Sequence, residues 1–105
     1  MKRVLSSNEI LGTIDQPGGE EAEVVASAEA WHDDESGELV VELDSFLRPL
    51  DLRHKERHLG AAWLPAPQTG REHVDRDEAA DLAKELFHHW ARRVRESIPT
   101  TVHHH

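Results

Sequence analysis

The feature that most restricts how this chain can fold is its C-terminal stretch, from Asp75 to about Ser97. Ala79, Leu82, Ala83, Leu86, Phe87, Trp90 and Val94 recur there at three- and four-residue steps, which aligns them as one apolar stripe on an α-helix. Asp75 stands where an N-cap belongs, Glu78 completes the spacing of a capping box, and Val74 and Ala79 take the two staple positions around the first turn. At the far end Ile98 precedes Pro99, and the residue before a proline is pushed out of helical geometry, so the helix stops there. An apolar stripe of this length needs a second layer to bury it, and the upstream residues must supply that layer.

Those residues read as strands. Glu9 to Asp15 alternates, with Ile10, Gly12 and Ile14 on one face and Leu11 and Thr13 on the other. Pro17, Gly18 and Gly19 signal a turn. Glu21 to Asp33 forms a long strand with Val24, Ala26, Ala28 and Ala30 on one side. Small side chains there leave room for a helix carrying Leu86, Phe87 and Trp90, which assigns that side to the core. Asp34-Glu35-Ser36-Gly37 is the strongest turn, with Gly37 suited to the left-handed position that closes a hairpin. Glu38 to Leu47 places Leu39, Val41, Leu43 and Leu47 inward and Val40, Glu42, Asp44 and Phe46 outward. Leu50 to His58 reads as a polar connection, Leu59 to Leu64 as a fourth strand, and Pro65 to Gly70 as a proline-extended linker into the helix. The predicted order is β-β-β-β-α: an α+β fold in which a four-stranded antiparallel meander packs against one long C-terminal helix.

At 105 residues the chain has the size of one domain, expected over 1–102, while His103, His104 and His105 read as the remainder of a purification tag. It has no cysteine, which removes disulfides, zinc-thiolate sites and thiol nucleophiles. No apolar run is long enough to cross a membrane, and the expected location is cytoplasmic. The formal net charge is −9. Acidic residues dominate up to Leu47, where only Lys2 and Arg3 oppose them, and such a surface repels phosphate backbones.

Function is expected on the outer face of the sheet. Leu11, Val25, Trp31, Val40 and Phe46 are assigned there among Glu23, Glu29, Glu42 and Asp44, and an apolar patch of that kind marks a contact surface. The expected activity is therefore protein contact or self-association, as a homodimer through sheet faces or edges, without catalysis and without a cofactor. One alternative is an anion or nucleic-acid site built from Arg53, Lys55 and Arg57 with Arg92, Arg93 and Arg95. The other is a histidine-dependent enzyme or metal binder. His54 and His58 are four residues apart, as two ligands on a helical turn are, but the cations around them oppose a bound metal, so no metal ligand is assigned. No nucleophile elbow or phosphate loop is present; His54, His58 and Trp63 are the first residues to test for catalysis.

Overall fold

A computed structural model describes residues 1–15, 21–50, 63–65 and 68–99. They form strands β1 (Lys2–Asp15), β2 (Glu21–His32), β3 (Leu39–Pro49) and β4 (Gln68–Arg71), followed by helix α1 (Arg76–Ser97). The sheet is an antiparallel meander in the order β1-β2-β3-β4. The helix crosses one face against β1, β2 and β3 and makes no close approach to β4. The expected α+β architecture is therefore present, with its four strands and C-terminal helix.

The alanine side of β2 is the core side. Val24, Ala26 and Ala28 pack with Phe87, Trp90, Ala91 and Val94. A second group joins Ala30, Leu39 and Val41 to Val74, Ala79 and Ala83. Small residues on the sheet let the large side chains of the helix sit down onto it, and interior packing is dense enough that added volume is felt. Ala26 has no exposure at all. Replacing it with leucine is expected to cost about 1–3 kcal/mol by overpacking. The same change at Ser27, one residue along on the opposite face, should stay within about 0.5 kcal/mol. Urea midpoints of the two variants check this.

Two turns of phrase in the chain are realised in detail. Gly37 adopts φ +76°, and the hairpin closes with the Gly37 N–H donating to the Asp33 carbonyl at 2.8 Å and the Asp33 N–H to the Glu38 carbonyl at 2.9 Å. The Asp33 carboxylate supports this turn by accepting from the Glu35 N–H and from the Ser36 hydroxyl, each at 3.1 Å. Those bonds, the backbone one first, hold its carboxyl below the ordinary value of 3.8. Their support is thus complete above that pH and is lost as the pH falls through the lowered value. The helix begins and ends where expected. Asp75 is extended and its carbonyl accepts from Glu78 and Ala79, but its side chain makes no capping bond, so the capping-box geometry is absent. Val74 and Ala79 are both buried in one cluster, as the staple requires.

Several expectations are corrected. β1 begins at Lys2 rather than Glu9, because Lys2 to Asn8 pairs along β2 from His32 to Ser27 even though its own residues carry no regular alternation. Its register shifts twice, between Arg3 and Leu5 and between Ile10 and Gly12. The residues at the shifts, Val4 and Leu11, both pack against the helix-side clusters. Ile10 therefore does not share a face with Gly12 and Ile14, and Leu11 lies on the core side, not on the outer face. The fourth strand is Gln68–Arg71, paired with β3 from Leu39 to Glu42. Leu59 to Ala62 lie outside the described residues. Trp63 and Leu64 are bends that meet β3 at Ser45, where the Trp63 N–H donates to the Ser45 carbonyl at 2.9 Å. In the sequence Pro65 and Pro67 stand between Leu64 and Gln68 and bias the residues before them away from helix, and the hydrogen-bonding edge of β3 selects Gln68–Arg71 for pairing.

Candidate functional site

The outer face of the sheet is built by the residues that alternate away from the helix. Pairing fixes which of them stand side by side. Ile10 lies opposite Val25, and Val25 opposite Phe46, which forms one apolar row across β1, β2 and β3. Ile10 is 51% exposed, while Val25 is exposed by only 1% yet belongs to neither helix-side cluster. Six residues along β2, Trp31 lies opposite Val40 and forms a second apolar pair, with Arg3 across from Trp31 on the other side. At about 3.3 Å per residue the two apolar groups are about 20 Å apart.

Between them the face is acidic. Glu29 stands directly opposite Glu42, and Asp44 stands opposite Ser27. Like charges directly across two strands repel. Toward the turn end, Arg48 donates to Glu23 through Nη2 at 3.0 Å and Nε at 3.2 Å. Asp15 and Glu21 close that end. The face therefore carries six carboxylates against Arg3 and Arg48, and its apolar part is two patches rather than the single patch that the alternation suggested. Val25, Trp31, Val40 and Phe46 lie on it as expected. Leu11 does not, and Ile10 takes its place. The adjacent pair Ile10-Leu11, two large apolar residues in a row within a half-buried strand, is the only sign of the bulge in the sequence.

Three other places have chemical groups. His32 is buried, with Nε2 2.6 Å from the Val74 carbonyl and Nδ1 3.1 Å from Asp34 Oδ1. A histidine oriented by a carboxylate resembles a general base, but here the nitrogen that would take a proton is committed to a backbone carbonyl. The cleft beside it, about 450 Å³, also includes His73 and Asp75, and Arg76 reaches Asp34 at 3.7 Å. What the arrangement does is hold the helix entry: the Val74 N–H also donates to the Gly37 carbonyl at 2.8 Å, so both polar groups of Val74 are fixed by the β2–β3 hairpin.

A crevice of about 200 Å³ opens where the helix falls short of β4, lined by Leu39, Val41, Thr69 and Leu86 among others. The Thr69 hydroxyl oxygen beside it is buried and has no hydrogen-bond partner among the described residues. That is a cost to the fold, of about 1–3 kcal/mol for such a group.

The remaining candidates are dispersed. Arg92 and Arg93 are exposed on the helix, and Arg95 Nη2 lies 3.4 Å from Glu9 Oε1. Arg53, Lys55 and Arg57 lie outside the described residues, as do His54 and His58. Trp63 is structural: its Nε1 donates to the Ser97 hydroxyl at 2.7 Å and its ring packs against the core, which pins the end of the helix. His88 and His89 are exposed. Among the described residues no three His, Asp or Glu side chains converge as a metal site requires, and no helix is long and apolar enough to cross a membrane. No protein family, curated protein or solved structure matches this chain.

Proposed function

We propose that this chain is a contact module that presents the outer face of its sheet to another protein. The observation that carries this reading is the row Ile10–Val25–Phe46, whose Ile10 is half exposed on a face that the helix leaves uncovered. Ile10 and the partly exposed Phe46 flank the buried Val25, and apolar residues left accessible among polar neighbours are the composition of contact surfaces. Three strands at about 4.8 Å spacing over the length of β2 present roughly 600 Å² of flat area, near the roughly 800 Å² per partner of a standard interface. The six carboxylates of the face favour a different protein over a second copy, because stacking two such faces brings like charges together. They equally disfavour a phosphate backbone.

The reading is tested by placing a photo-crosslinking side chain at Phe46 on the outer face or at Lys84 on the exposed side of the helix, and irradiating cells that make the protein. Contact through the sheet gives discrete adducts from position 46 and none of the same size from position 84. Identical adducts from both positions, or adducts from 84 alone, would remove the outer face from the function.

A further inference from the structure

We infer that the outer face receives a basic amphipathic helix of another polypeptide, laid along β2, with apolar anchors two heptads apart and lysines or arginines between them. The inference rests on the contact reading above and specifies the partner's chemistry.

Three properties of the face lead to it. The first is its width. β1 and β3 are separated by about 10 Å, the diameter of one helix, so a helix along β2 touches all three strands. The second is the spacing of its apolar groups. Ile10 and Phe46, on either side of the buried Val25, form one, and Trp31 with Val40 forms the other, about 20 Å further along β2. On an α-helix, residues i and i+14 are about 21 Å apart and return to nearly the same side, so one helix can anchor in both groups. The third is the strip between them. Glu29, Glu42 and Asp44 supply negative charge there, while Ser6, Asn8 and Ser27 are small and leave room for long side chains to lie down.

The opposed pair Glu29 and Glu42 adds a reason for charge in the partner. In the free protein these carboxylates repel across adjacent strands, and a lysine or arginine between them removes that repulsion. A second copy, a nucleic acid or an anionic bilayer brings more negative charge to the same strip. A basic helix alone satisfies both the apolar ends and the acidic middle, and it would give the sheet a second covered face opposite α1.

The test uses the full chain and a synthetic helical peptide with leucine and phenylalanine anchors two heptads apart and lysines on the same side between them. A second peptide has the same composition with its lysines moved to the ends and its apolar residues to the middle. Fluorescence anisotropy should give at least about tenfold tighter binding of the first peptide, weakening with added salt. The combined change Glu29→Gln, Glu42→Gln and Asp44→Asn should weaken that binding about tenfold or more and flatten its salt dependence, with the melting temperature unchanged or raised. Lys84→Gln should leave binding as it is.

Equal binding of the two peptides, or no effect of the triple variant, overturns the inference. So does a dimeric mass in light scattering that Phe46→Glu returns to a monomer, since the face then belongs to a second copy. If neither peptide binds while crosslinks from position 46 persist and those from 84 do not, the basic partner is wrong and the contact reading stands. If the crosslinks fail as well, both fall.

Discussion

Replacing Trp90 with alanine is expected to remove about 3–5 kcal/mol of stability, the largest loss from any single side chain of the helix. Trp90 is 3% exposed and sits in the cluster with Val24, Ala26 and Ala28. Two effects combine. The truncation leaves a cavity over alanines too small to fill it, and it removes the indole N–H that donates to the Asp44 carbonyl at 2.8 Å. Trp90→Phe separates them: it keeps most of the packing and loses the hydrogen bond, so its cost should be about 1–3 kcal/mol. Leu86 is only half buried and packs at the margin of the other cluster. Leu86→Ala should therefore cost clearly less than Trp90→Ala, although both belong to the same apolar stripe. Urea denaturation of the three variants decides it, and equal midpoints for Trp90→Ala and Leu86→Ala would contradict the packing described.

Gly37→Ala is the second large effect. A side chain at φ +76° is disfavoured for any residue with a β-carbon, by about 1–2 kcal/mol. There is also no space for one. A β-carbon on Gly37 would stand 2.9 Å from the His73 α-carbon and 3.2 Å from the Val74 nitrogen, both backbone atoms that cannot swing aside. His73 itself has φ +61°, so the segment that would have to move is already in an uncommon conformation. The total expected is about 2–4 kcal/mol, which for a domain of this size is a fall in melting temperature of more than about 10 °C. Gly37→Asn tests the cause. Asparagine tolerates the left-handed region but still brings a β-carbon, so a loss as large as that of alanine assigns the effect to the contact with His73 and Val74. A variant as stable as the parent would mean that the hairpin and the helix entry are not packed together as described.

How much of this was legible follows from how local each signal is. The helix, its ends and the Gly37 turn depend on residues within four positions of one another, so the pattern from Asp75 to Pro99 was sufficient for them. The inward and outward sets of β2 and β3 were legible for the same reason, because a period of two runs through both without interruption. β1 failed that test. Its two register shifts move Val4 and Leu11 to the helix side, and a bulge is decided by the neighbouring strand rather than by the bulged residues. β4 was illegible as well, since Gln68 to Arg71 has no apolar alternation and pairs only because β3 offers it an edge. Ala91 is buried although it stands beside the apolar stripe, because a broad sheet covers more of a helix than a narrow seam does.

The outer face inherits the same division. The positions of Val25, Trp31, Val40 and Phe46 follow from the unbroken alternation of β2 and β3. The substitution of Ile10 for Leu11 comes from the bulge. That the patch is really two patches requires the pairing register, which places Glu29 against Glu42 between them.

The irregular path of β1 has one more consequence. A fourteen-residue strand at the margin of a sheet would ordinarily be a template onto which the strand of another molecule could add, and repetition of that event builds fibres. Two interruptions in β1, and a charged Glu9 directed toward the helix side and tied to Arg95, spoil the regular row of donors and acceptors such growth requires. Both features oppose lateral polymerisation at that margin.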